Sequence, residues 1–163
     1  MIADHWGVTD AEVARRYPCD EAVTKPVLQA WRGVTVRAAP GSVWPWICQI
    51  QLAPYSYDWI DNLGRRSPRQ LQGVAEPAVG GKFTRAMGRR LGRVLSVEPN
   101  RQLTARLGHV VMTYWLEPEG DTTRLILKLV SDQHRLTASL LSVGDLVMAR
   151  RQLLNLARLA ERT

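Results

Sequence analysis

Cysteine is nearly missing from this chain: Cys19 and Cys48 are the only two. They form no C-x-x-C pair, and no neighbouring histidine completes a zinc site, so they read as free thiols in a reducing compartment. Cys48, between Ile47 and Gln49, is expected to be buried. Long apolar runs are also missing. The richest stretch, residues 136–149, is interrupted by Asp145 and falls short of the roughly 20 apolar residues a membrane-spanning helix needs. The opening MIADHWG has an acid where a secretory leader carries a basic region, and no apolar run follows it. The expectation is a soluble, cytoplasmic protein. No HExxH, Walker loop or dinucleotide fingerprint is present, so neither a metal nor a nucleotide cofactor is expected. Repeats and low-complexity segments are absent as well.

A chain of 163 residues fits one domain, and a domain of this size buries roughly 70% of its unfolded surface without a disulfide or metal staple. We read residues 1–163 as a single domain in which residues 1–30 are an N-terminal extension. The formal charge is +7, and Lys25, Lys82 and Lys128 are the only lysines. Asp4, Asp10, Glu12, Asp20 and Glu21 make the first segment acidic. Lys82, Arg85, Arg89, Arg90, Arg93, Arg101 and Arg106 make the middle basic, with Glu98 the one acid between residues 82 and 106. Such a segment steers anionic ligands or partners at long range. An interaction module for an anionic protein surface or nucleic acid is therefore one reading, but no nucleic-acid motif supports it, and nucleic acid is not an expected partner.

Periodicity orders the chain. Thr9, with Glu12 three residues on, fits a capping box for a short helix through Tyr17, stopped by Pro18. Residues 31–38 (WRGVTVRA) alternate as a strand. Ser42 is a plausible N-cap that places Pro45 in a first helical turn. Pro54 ends that helix, and residues 55–63 form a second short helix closed by Gly64. Residues 65–81 read as loop. Strands follow at 91–97 and 102–107, joined at Pro99-Asn100, and at 110–116 and 122–130, joined through EPEGD. In the last strand Leu125, Leu127 and Leu129 share one face. Ile126 and Val130 on the other keep that face from being purely solvated. Residues 137–162 form a long amphipathic helix with Leu140, Val143, Leu146, Val147, Leu153, Leu154, Ala157 and Ala160 along one stripe and Arg150 within it. Grouped strands with segregated helices indicate an α+β fold. The simplest packing lays the terminal helix across the concave face of a curved antiparallel sheet, with two short helices after the first strand.

Five of the eleven Phe, Trp and Tyr residues (Trp44, Trp46, Tyr55, Tyr57 and Trp59) crowd residues 43–63. Aromatics supply large buried area and, in Tyr and Trp, a polar handle, so the cluster closes a core or lines a pocket. The run AAPGSVWPWICQIQLAPYSYDWIDNLG (38–64), above all YSYDW, together with HWGVTDAEVARRYPCDE (5–21), resembles a bacterial subgroup of the SRPBCC superfamily. These are START/pollen-allergen-like, polyketide-cyclase-like helix-grip proteins. The chain departs from the subgroup at residues 51–54, where a glycine-rich loop is usual, and at Cys19, where glycine is usual. The resemblance implies a deep, largely apolar cavity between sheet and terminal helix, and no mapped catalytic motif.

The leading reading is an intracellular binding or carrier protein for an apolar or amphipathic small molecule. Its candidate ligand-binding residues are Trp46, Tyr55, Tyr57, Trp59, Met112, Tyr114, Leu140, Val147 and Met148, with Arg150 as partner for an acidic headgroup. The alternative is a cyclase, aromatase or dehydratase acting on a polyketide-like substrate, which needs an acid–base pair facing the cavity, Tyr57 or Asp58 being its candidate members. Tyr55 and Tyr57, two apart on a helix, diverge, so one at most points inward. His109, at a strand junction, and His134 read as structural or solvated, and no Ser-His-Asp spacing is present.

Overall fold

The structure, a computed structural model, describes residues 2–58, 62–132 and 135–163, with backbone alone at residue 2 and residues 135–146. Its architecture is α+β: a curved six-stranded sheet with a long C-terminal helix across one face, consistent with a helix-grip fold. Strand order is β1 (Ile2–Trp6), β2 (Leu28–Val36), β8 (Thr122–Ser131), β7 (Val110–Glu119), β6 (Gln102–Leu107) and β5 (Arg93–Glu98). All neighbours are antiparallel except β1 and β2. A separate hairpin joins β3 (Thr84–Ala86) to β4 (Arg89–Leu91). Helices α1 (Asp10–Ala14) and α2 (Cys19–Ala22) lie between β1 and β2, α3 (Pro40–Cys48) follows β2, and α4 (Arg135–Ala160) ends the fold.

The first thirty residues are thus woven into the fold, and the parallel β1 departs from the antiparallel sheet that the sequence implied. A parallel neighbour needs a crossover, and α1 and α2 provide it. The Thr9 capping box forms, with the Thr9 amide donating to Glu12 Oε2 at 2.8 Å and the Glu12 amide to Thr9 Oγ1 at 3.2 Å. The helix stops at Ala14, sooner than expected, and Pro18 instead caps the start of α2. Pro40, not Ser42, begins α3, because its fixed φ suits a first helical position. Pro45 then sits inside the helix, and the carbonyl it leaves without an amide belongs to exposed Gly41. The β3–β4 hairpin went unread because it turns on Met87-Gly88, both at positive φ, rather than on the usual Asn-Gly or Asp-Gly.

Alternation in β7 and β8 divides the interior in two. Met112, Tyr114, Leu116, Leu125, Leu127 and Leu129 face α3 and α4 in the larger core. Val111, Ile126 and Val130 face the back, where Tyr17, Cys19, Val23 and Trp31 cover them. Two cations also point that way. Lys128, buried, donates to Asp20 Oδ1 at 2.5 Å and lies 4.8 Å from the Trp31 ring centroid. Arg124 holds Glu12 through two bonds of 2.9 Å and donates to the Gly7 carbonyl at 2.8 Å. A third pair, Arg32 with Asp4, ties β1 to β2. Asp4, Glu12 and Asp20 are therefore counter-charges of the sheet.

On α4 the buried stripe is Ala149, Leu153, Leu156, Ala157 and Ala160, with Gln152 among them. Val147 (50% exposed) and Leu154 (36%) fall outside it. Arg150 also turns away, its guanidinium 4.4 Å from the Trp6 ring centroid. The cause is rotational: with Leu153 and Leu156 inward at helical spacing, residues 147, 150 and 154 point elsewhere.

Breaking the Lys128 pair from one side leaves a buried charge, so Asp20→Asn should cost about 3–5 kcal/mol, whereas Asp20→Leu with Lys128→Met should recover most of it in urea unfolding. Burial alone pushes the Glu12 carboxyl up, but Arg124 and Thr9 outweigh it and hold it below the usual value. Its contribution is then present above the unfolded carboxyl pKa and is lost as pH falls through the lower folded value. The stability gap between wild type and Glu12→Gln should close on acidification. A Cβ at Gly33 would lie 2.7 Å from Val8 Cγ1 and 2.8 Å from the Gly7 carbonyl oxygen, while one at Gly41 would meet nothing within 4 Å. Gly33→Ala should destabilise by about 1–3 kcal/mol, and Gly41→Ala should be neutral or stabilising.

Candidate functional site

Below α3 the chain makes a single 3-10 turn (Gln49–Gln51) and then the strap Pro54–Tyr55–Ser56, which lies along α4. Tyr55 has φ 58°, so the expected helix beginning there does not start at this residue. The remainder of that expected helix extends into residues 59–61, outside the described residues. Two side-chain amides of α4 hold the strap. Gln152 Nε2 donates to the Pro54 carbonyl at 2.5 Å, and Asn155 Nδ2 to the Tyr55 carbonyl at 2.9 Å.

Two concavities flank this strap. The first is an apolar cavity of about 380 Å³. Its sheet wall is Leu107, Val110, Met112, Tyr114, Leu127 and Leu129. The β3–β4 hairpin adds Phe83 and Met87, α4 adds Met148, Ala149 and Gln152, and the strap adds Pro54 and Ser56. Its buried polar side chains are Thr84, whose hydroxyl donates to the Ile50 carbonyl at 2.7 Å, and a relay of two. The Tyr114 hydroxyl donates to Gln152 Oε1 at 2.7 Å, and Gln152 passes its own N–H to the strap. Full burial pushes the Tyr114 phenol far up, against the partial opposition of Gln152, so it stays neutral. His109 also lines the cavity, but it is largely exposed and lies 3.9 Å from Asp132.

The second concavity is a polar cleft of about 520 Å³ on the other side of the strap, bordered by Tyr57, Asp58, Ser67 and Arg69, by Arg151 and Arg158 of α4 and by Arg162 just past its end. Ser56 borders both spaces.

The candidate residues separate accordingly. Met112, Tyr114 and Met148 meet in the apolar cavity. Tyr57 and Asp58, the candidate acid–base members, lie in the polar cleft instead. Tyr55 borders the cleft but is a structural hub: its hydroxyl accepts from Gln49 Nε2 at 2.6 Å and donates to the Pro68 carbonyl at 2.9 Å. Burial first, and Asp58 to a lesser degree, push its phenol up to about 12 against the opposing bond from Gln49. Trp46 packs edge-on against Tyr55, with centroids 6.3 Å apart, and its indole donates to Thr163 Oγ1. It closes the core beside the cavity and is not in the lining. Val147 and Arg150 point away from the cavity. Trp59 and His134 lie outside the described residues, as does the side chain of Leu140.

Sequence reasoning missed Phe83, Met87, Ala149 and Gln152. The first two depend on the unread hairpin. Gln152 reads as surface polarity until the strap carbonyl it serves is known. Neither cysteine offers a nucleophile: burial pushes Cys19 up to about 11 and Cys48 up to about 12. Among the described residues, no helix is long and apolar enough to cross a membrane.

No protein-family model and no curated protein matches the chain. Solved structures do match it in shape. A protein of Mesorhizobium loti is 21% identical, with a TM-score of 0.55 over 83% of this chain and 98% of that one. A protein of Thermobifida fusca is 17% identical, with a TM-score of 0.59 over 82% and 93%. DynU16, a protein of the dynemicin biosynthetic locus, is 17% identical, with a TM-score of 0.51 over 80% of this chain and 46% of that one. At these identities the likeness is one of fold: a curved sheet and a C-terminal helix.

Proposed function

We propose that this protein binds and carries an apolar or amphipathic small molecule in the cavity between its sheet and C-terminal helix. One observation carries the reading. A volume of about 380 Å³ is walled largely by aliphatic, Met and Phe side chains, and the buried polar side chains Thr84, Tyr114 and Gln152 each already donate to a protein acceptor. That size falls within the usual range of ligand sites, which are mostly apolar with a few placed polar groups. Each methylene moved from water into such a space contributes about 0.8 kcal/mol. Met112, Met148 and exposed Met87 give the wall the adaptability that unbranched thioethers provide. The SRPBCC assignment, resting on residues 5–21 and 38–64, belongs with this reading, as does a cytoplasmic location.

The occurrence of a similarly shaped protein in the dynemicin biosynthetic locus is compatible with a polyketide-like ligand, whether bound or turned over. The cyclase, aromatase or dehydratase reading needs an acid–base pair inside. Among the described lining residues the ionisable side chains are exposed His109 and the neutral Tyr114. Binding is therefore the better supported of the two.

Titration with Nile red, an uncharged apolar fluorophore, tests the reading. Wild type should bind it with a blue shift in emission. Ala149→Phe, which fills the cavity from α4, should weaken binding by about tenfold or more while the circular dichroism spectrum stays unchanged. Absence of binding by wild type, or indifference to the Ala149 substitution, would sink the proposal. Should Ala149→Phe fail to fold, Leu129→Phe fills the same space from the sheet.

A further inference from the structure

The polar cleft beyond the strap has no role in the reading above, and its charge is one-sided. Arg151 and Arg158 of α4 and Arg162 of the turn after it border a space of about 520 Å³, and Arg69 borders it from the facing loop. The described acid on its wall is Asp58, which keeps its charge but is turned to Ser67. Oδ2 accepts from the Ser67 amide at 3.0 Å and Oδ1 from the Ser67 hydroxyl at 2.5 Å. Glu161, the acid nearest in sequence on α4, is turned to Arg37, whose amide it accepts at 2.9 Å. Among the described residues, no carboxylate lies within ion-pair distance of Arg69, Arg151, Arg158 or Arg162.

Two ordinary explanations fall short. Cations near a helix C-terminus complement its dipole, which accounts for Arg158 and Arg162. It does not account for Arg151, two turns or more from the end, nor for Arg69, which is not on the helix. Solvated arginines scattered over a surface need no explanation, but these four border a single concavity. Its floor is fixed by Asn155, which holds the Tyr55 carbonyl, and by the Asp58–Ser67 bonds. Gathering four guanidiniums carries a repulsive cost that an anion would relieve, and forked donors suit carboxylate and phosphate oxygens. Tyr57, whose ring lies 5.8 Å from the Arg151 guanidinium, supplies an aromatic wall.

We infer that this cleft is a second binding site, built for the phosphate or carboxylate group of a small molecule. The anion is held by Arg151, Arg158 and Arg162 against Arg69. The inference does not depend on the apolar cavity being occupied. Because Ser56 borders both spaces, the anionic group can come from either of two sources: a free polyanion, or the head of an amphiphile whose chain lies across the strap.

Calorimetry at physiological salt with three probes tests this: inorganic pyrophosphate, decyl phosphate below its micelle concentration, and decanol. Wild type should bind at least one of the two phosphates. The Arg158→Gln/Arg162→Gln protein should bind that phosphate about tenfold more weakly or worse. The Arg85→Gln/Arg90→Gln protein, which loses the same charge on the β3–β4 hairpin, outside the lining of the cleft, should bind it as wild type does. Glutamine keeps helix propensity, so the α4 variant should fold, and its Nile red affinity should be unchanged. Pyrophosphate binding identifies a free anion as sufficient. Binding of decyl phosphate without pyrophosphate identifies an amphiphile, with decanol reporting what the chain alone contributes. Equal losses in both double variants would show unspecific attraction and overturn the inference, as would the failure of both phosphates to bind.

Discussion

Strand β8 is buried on both faces, and two of the side chains it sends to the back are charged. That constraint organises much of the molecule. Arg124 and Lys128 occupy positions that the pleat directs away from the helix, alternating with Ile126 and Val130. A cation there is tolerated only if an acid comes to meet it, because an unpaired charge away from water costs several kcal/mol. The acids come from the N-terminal segment: Glu12 from α1 and Asp20 from α2. Their positions bring Tyr17, Cys19 and Val23 down onto the sheet, and the back becomes a second core. The close crossing of Gly7 over Gly33, where neither residue has room for a Cβ, lets Arg124 reach the Gly7 carbonyl.

A second core bears on the first. Unfilled space within a core forfeits dispersion contacts with the atoms lining it, so a protein with a hollow front must draw stability from elsewhere. Here the back core, its ion pairs and the buried chain from Thr113 through Thr104 to Gln102 and Ser96 supply it. The walls of the hollow are also fixed from outside. Gln49 binds the Tyr55 hydroxyl and the backbone of Gln70 and Gln72, while Gln152 and Asn155 hold the strap. The aromatic stretch therefore works mainly as scaffold. Trp46 and Tyr55 brace each other beside the cavity, and the cavity surface itself is made by Met, Leu and Phe.

Elements with a strong period were legible in the sequence. The alternation of residues 110–116 and 122–130 placed Met112 and Tyr114 on one face and Val111 and Trp115 on the other, and the structure has the same division. Ile126 and Val130 already signalled a covered back face. Features resting on single tertiary contacts were not legible. The parallel β1 owes its place to Asp4 meeting Arg32 and to the crossing at Gly33, neither of which leaves a periodic trace. The inward face of α4 was misjudged at Val147 and Arg150, since apolar residues on nearly every side blur the stripe. Tyr55 at positive φ keeps the second helix that the spacing implied from starting at this residue, a conformation held by bonds with residues on three separate segments.

Charge gives the last step. Read along the sequence, one block of acids stands at the start and one block of basic residues in the middle, with further charges of both signs beyond them. In space they sort by function instead. The cations that meet acids on the sheet, Arg32, Arg124 and Lys128, are buried or nearly so, and they hold the fold together. The middle block spreads over the β3–β4 hairpin and the outer strands, where Arg85 lies directly opposite Arg90. Like charges so placed weaken a hairpin, and nothing in the fold requires them. The three acid–cation pairs of the sheet are each neutral, so the net charge of +7 is carried by the remaining side chains. Both concavities beside the strap open into that field, the cavity mouth past Met87 of the hairpin and the cleft among the arginines of α4. An anionic amphiphile is attracted to such a surface before any contact forms.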